Sequence, residues 1–278
     1  MTVAIGAMCE RGNCIITVAD RRGTFAPTAG LGPHDRTGKQ FDLPRNFSGN
    51  IAGVVSVCTS IISELDKQMN DMPTPFFHDH VRNAIREAQF QEFENRARYA
   101  LKTQLLITVK EWKEAQIAQY LRDEGKSILK SIQLEAELII AGFAGISPVL
   151  LEVFCNEPPE MRHFCAIGSG GNAAYSVLVQ REQEPHMSFQ RTLIHMAEAM
   201  EAARLDAIQR DPLNPDVGFP AAYVVVTKKA MRILPANNIE LKHLVSKYDA
   251  KDTESVDAEK VCREKLRSAM WIYNAVMP

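Results

Sequence analysis

Apolar and polar positions along this chain fall into blocks of different period. Val3 to Met8 and Cys14 to Ala19 are near-continuous apolar runs separated by Glu10-Arg11-Gly12-Asn13. Runs of this length and composition predict two strands, and the Gly-Asn turn joins them as a hairpin that returns Asp20 to the start of the chain. Lys39 to Leu43 and Gly49 to Val57 predict two further strands, after a loop over 23–38 rich in Gly, Pro and Thr. From Thr59 to about Glu135 the texture becomes helical, broken once at Pro73 and Pro75. Val81, Ile85, Ala88 and Phe93 fit one apolar face, and Leu101, Leu105, Ile107 and Trp112 continue a related pattern.

Strand patterns return at Leu138 to Phe143, Val149 to Phe154 and Arg162 to Ile167. Gly168-Ser169-Gly170-Gly171 opens a helix from Asn172 to about Glu182, and a second spans Phe189 to Ile208. A strand pair follows at Ala222 to Thr227 and Met231 to Leu234, and the tail ends in a helix from Ser255 to about Tyr273. Strands and helices therefore come in groups rather than in βαβ alternation, which argues against a parallel doubly wound sheet. The order predicts an α+β protein with two stacked sheets covered by helix pairs. No repeat or composition break divides it, so residues 1–278 read as one domain with a helical extension over about 90–135 and a C-terminal tail over about 236–278.

Composition narrows the function classes only modestly. The chain is 46% hydrophobic and 24% charged, as in an ordinary globular protein. A net charge of -2 with intermixed signs argues against nucleic acid or a membrane surface as partner. No apolar run reaches a membrane span, and the start predicts no secretory signal, so a cytoplasmic location is expected. The six cysteines show no CxxC pair or zinc-like spacing and read as buried thiols in a reducing compartment. Cys9 and Cys14 flank the hairpin turn and could face each other. His78-Asp79-His80 reads as a solvated helix start rather than a metal site, and no cofactor is called for.

Candidate chemistry lies at the second residue. Removal of Met1 would give Thr2 a free α-amine beside its own hydroxyl. An α-amine titrates near ~8 and can act as base for that hydroxyl. The hairpin places the Asp20 carboxylate beside the pair. The bland alternative is an N-terminal strand with no chemistry.

Four stretches stand in order along the chain: the hairpin ending Ala19-Asp20-Arg21-Arg22; Gly38-Lys39-Gln40-Phe41 with Ala52-Gly53 fourteen residues after the lysine; Ile139-Ile140-Ala141-Gly142, Leu151-Glu152-Val153 and Ala166-Ile167-Gly168-Ser169-Gly170 with Ala174-Tyr175-Ser176-Val177-Leu178; and Ala203-Arg204-Leu205-Asp206. Together they resemble the proteasome β-subunit family of N-terminal-nucleophile (Ntn) hydrolases. The resemblance covers about 1–235. It implies a four-layer αββα sandwich and a threonine endopeptidase closed into a homo-oligomeric ring. Thr2 would be the nucleophile, Asp20 and Lys39 the charged pair beside it, and Gly53 N–H the oxyanion donor. Ser169 and Asp206 would hydrogen-bond around the amine. Substrates would be peptides or unfolded proteins, and an ATPase unfoldase is a partner the resemblance admits.

The departures are specific. Gln209 stands where the family has a serine three residues after the aspartate, and the first hairpin is longer than the family's. The helical stretch before Leu138 is also longer, and 206–220, with Val217-Gly218 and Pro220, is closer to the bacterial Anbu branch. A non-catalytic ring or scaffold subunit, or an amidase using the same nucleophile, stays open. The apolar residues of the stretch from Phe90 to Gln133, Leu106 and Trp112 among them, predict burial against neighbouring subunits, with an ordinary core as the alternative for some of them.

Overall fold

The computed structural model describes residues 3–20, 39–114, 117–154, 157–210 and 221–233. Thr2, the loop 23–38, the segment 211–220 and the tail with its expected helix over 255–273 lie outside the described residues. Among the described residues the chain is mixed α+β, with two five-stranded antiparallel sheets and six helices.

The first sheet contains β1 (Ala4–Cys9), β2 (Cys14–Asp20), β8 (Phe164–Ile167), β9 (Ala221–Thr227) and β10 (Met231–Ile233), in the order β10-β9-β2-β1-β8. The second contains β3 (Gln40–Leu43), β4 (Phe47–Gly53), β5 (Ala136–Ala144), β6 (Ser147–Val153) and β7 (Glu160–Met161), in that order. Between β4 and β5 lie helices α1 (Val55–Asn70), α2 (His78–Gln104), α3 (Val109–Lys113) and α4 (Gln119–Ser131). Helices α5 (Gly171–Gln180) and α6 (Phe189–Arg210) join β8 to β9.

Continuous apolar runs such as Ala4 to Met8 arise because β1 and β2 are buried on both faces, so alternate residues serve different clusters. Val3, Ile5, Ala7, Ile16 and Val18 pack with Leu178, Phe189, Leu193 and Met200 of α5 and α6. Ala4, Met8, Ile15 and Ala19 instead pack with Ala52, Ile139, Ala141 and Leu150 of the second sheet. On that sheet's other side, Ile51, Leu138, Ile140 and Leu151 meet Ile61, Leu65, Val81 and Ile85 of α1 and α2. Gly6 lets the sheets approach, for a Cβ there would lie 2.7 Å from Leu150 Cδ1.

The predicted strand over Gly49 to Val57 is too long. β4 stops at Gly53, whose φ of 100° leaves the extended region, and α1 begins at Val55. The Val-rich composition of 54–57 suits a strand, but Val57, Cys58, Ile61, Leu65 and Met69 recur at helical spacing and all are buried. Tertiary burial overrides the local preference. The tip of the β1–β2 hairpin docks on the start of α6: Glu10 N–H donates to Met187 O at 2.8 Å, and Phe189 N–H to Glu10 Oε1 at 2.7 Å. A carboxylate at a helix N-terminus accepts from a first-turn N–H and complements the helix dipole.

The helical extension is partly self-packed. Trp112 lies against Gly125, where a Cβ would come within 2.2 Å of its Nε1, and Leu101 is buried. Phe90 and Leu106 are 57% and 86% exposed. At the start of α2, His80 Nδ1 accepts the Phe77 N–H at 3.0 Å, so this histidine caps the helix. Cys9 and Cys14 are paired in register across the hairpin, and both are free and buried. Burial pushes the Cys9 thiol well up, aided by its contact with Cys14.

Candidate active site

The pairings Ala4↔Ala19 and Ala4↔Ile167 place the N-terminal end of β1 between the C-terminal ends of β2 and β8. Asp20 is the last residue of β2, and its contacts hold the chain at Val3. The Val3 N–H donates to Asp20 Oδ1 at 3.0 Å, while the Asp20 N–H donates to Val3 O at 3.1 Å. The residue before Val3 is Thr2, so Asp20 binds the backbone adjoining the expected nucleophile.

Lys39, just before β3, reaches across from the other sheet. Its Nζ donates to both Asp20 oxygens, at 2.9 and 3.0 Å, with the side chains 5% and 0% exposed. Two charges removed from water this completely are tolerable only as a well-bonded pair. The Lys39 carbonyl accepts the Ile51 N–H at 2.9 Å, which ties the lysine to the strand that ends at Gly53.

Gly53 is exposed at the end of β4, opposite Ala136 in register. A Cβ at Gly53 would lie 2.3 Å from Glu135 O, and its positive φ is strained for other residues, so both sterics and conformation require glycine. One residue beyond its partner, Glu137 crosses back to the first sheet. Its Oε2 accepts the Gly168 N–H at 2.6 Å. Gly168 adjoins Ser169 in the turn between β8 and α5, so a carboxylate from the second sheet fixes that turn.

Ser169 and Asp206 are joined by a residue that the sequence motifs did not include. Arg210 Nη2 donates to Asp206 Oδ2 at 2.7 Å and to the Ser169 carbonyl at 3.2 Å. Arg210 sits four residues after Asp206 on α6, a spacing visible in sequence. Glu137 carried no comparable signal, because its contact depends on how the sheets stack.

Of the expected residues, the structure brings Asp20 into contact with Lys39 and links Asp206 to Ser169 through Arg210. Gly53 stands at the same end of the second sheet, beside the β5 start that carries Glu137. Together these groups offer a paired cation and anion, exposed backbone at a strand end and a tethered glycine-rich turn around the start of β1. An acyl-transfer site needs such parts: charge beside a nucleophile and donors for an oxyanion.

A cavity of about 570 Å³ between α2 and the end of α4, lined by Asn95, Arg96, Tyr99 and Gln133, includes none of the candidate residues. Glu152, buried on β6, accepts from Arg162 Nε at 2.9 Å, yet burial outweighs that partner and raises its carboxyl pKa. No group of three or more His, Cys, Asp or Glu able to hold a metal occurs among the described residues. Compared with known proteins, the chain matches no family model, and no curated protein matches it significantly.

Proposed function

We propose that this chain is a threonine-type peptidase of the proteasome β-subunit kind, on an αββα Ntn-hydrolase sandwich, with Thr2 as nucleophile after loss of Met1. The observation that carries the reading is the buried Asp20–Lys39 pair, whose aspartate holds the Val3 N–H next to Thr2. The likeness of the four sequence stretches supports it.

In the proposed reaction the Thr2 Oγ attacks a peptide carbonyl and its proton passes to the Thr2 α-amine. The oxyanion is held by the Gly53 N–H, and the Lys39 cation favours negative charge developing on the hydroxyl oxygen. The amine then protonates the departing peptide nitrogen, leaving an ester on Thr2. Water attacks that ester, giving a proton to the amine, which passes it to the departing Thr2 Oγ as the carboxylic product leaves, restoring the free hydroxyl and amine. Peptides or unfolded proteins are the proposed substrates. A cytoplasmic homo-oligomeric ring would confine the activity, with an ATPase unfoldase as a candidate partner. The exposed Phe90 and Leu106 are offered as part of the subunit contact.

A scaffold role on the same fold is the second reading, favoured by Gln209 in place of serine. Intact-mass measurement of protein from its native host is expected to show Met1 absent. Thr2→Ala should abolish cleavage of fluorogenic peptides, while Thr2→Ser, which keeps hydroxyl and amine, should retain part of it. Full retention of Met1, or unchanged turnover in Thr2→Ala, would overturn the peptidase reading.

A further inference from the structure

Arg210 uses one guanidinium nitrogen to reach two parts of the candidate site: the Asp206 carboxylate on its own helix and the Ser169 carbonyl in the turn between β8 and α5. We propose that Arg210 is a positioning residue of the reaction described above, serving in place of the serine that the resemblance places at 209; this rests on the peptidase reading.

The resemblance implies a serine hydroxyl at 209, which Gln209 does not carry. Asp206 and Ser169 come from different elements, and Arg210 bridges them. A single nitrogen carrying two N–H bonds can donate to both, and a charge-assisted bond to a carboxylate is stronger than a neutral one. The same turn is held from its other side, where Gly168 donates to Glu137 Oε2 at 2.6 Å. The turn bearing Ser169 is therefore fixed by β5 on one flank and by the end of α6 on the other.

A merely structural arginine is the competing account. Arg210 ends α6, where a cation favours the helix dipole whatever the neighbouring site does. The two accounts differ in what they do to turnover. Loss of positioning lowers kcat, because small misplacements around reacting atoms are costly, while a lost helix-end cation lowers stability alone.

Three full-length variants, Arg210→Met, Arg210→Lys and the double variant Gln209→Ser/Arg210→Met, would be assayed for kcat and KM on a fluorogenic peptide, with Tm recorded for each. Arg210→Met is expected to lose about tenfold or more in kcat with KM within about twofold of wild type, the pattern of a lost transition-state interaction. Arg210→Lys should recover part of the rate, and the added serine should recover part of it in the double variant. A lowered Tm with unchanged kcat in Arg210→Met would overturn the positioning role and leave the peptidase reading intact. A reduced kcat that neither lysine nor serine rescues would also overturn it. A wild-type protein without hydrolytic activity would overturn the peptidase reading, and this inference with it.

Discussion

Replacing Lys39 by methionine deletes a charge but keeps most of the volume, and the structure says what remains: an Asp20 carboxylate with no exposure to solvent. Removing one member of a buried ion pair costs about 3–5 kcal/mol, because the other loses that counter-charge while it stays buried. Asp20→Asn should also destabilise by removing the carboxylate that Lys39 Nζ contacts, although the amide oxygen can still accept the Val3 N–H. The double variant Asp20→Asn/Lys39→Met removes both charges of the pair. Its loss should fall short of the summed single losses by about 2 kcal/mol or more, a coupling within the range for contacting residues. Urea unfolding of the four proteins gives this coupling directly. Hydrolysis of a fluorogenic peptide by the folded fraction then separates structure from chemistry: the double variant should regain stability and remain inactive. Additive single losses would refute the ion pair as an energetic unit. Activity restored together with stability would refute the role given to Lys39 in the reaction.

His195 predicts a pH dependence of stability. Buried on α6, with its Nδ1 2.9 Å from Gln183 Oε1, it is pushed down from 6.5 to about 4, chiefly by burial and then by Arg191 and Arg181. The unfolded chain takes up the proton near 6.5 and the folded chain only near 4, so acidification through that window favours unfolding. The contribution is fully present above pH 6.5, and about 3 kcal/mol of it is lost by pH 4. His195→Gln should flatten the unfolding free energy over this window, and an unchanged slope would contradict the assignment. Gly53→Ala must relieve a 2.3 Å approach to Glu135 O as well as a positive φ. It should cost about 1–3 kcal/mol by chemical denaturation and depress turnover further than stability alone explains; wild-type stability and rate would refute the steric argument.

Local pattern carried much of the architecture. The runs from Val3 to Met8 and from Cys14 to Ala19 are apolar at consecutive positions because each strand is covered on both faces, and their Gly-Asn turn brings Asp20 beside Val3. The helical stretch after Pro73 and Pro75 is legible from its spacing, whereas Arg210 belongs to no motif although it follows Asp206 by one helical turn. Tertiary structure decided where α1 begins, because a Val-rich segment suits strand and helix alike until burial against the sheet selects between them. It also decided the meeting of Asp20 with Lys39, which the sequence offered only through a family likeness, and the reach of Glu137 to Gly168. Both contacts cross between sheets, and the distance across two stacked sheets depends on how their inner side chains interlock, which no periodicity along one chain encodes.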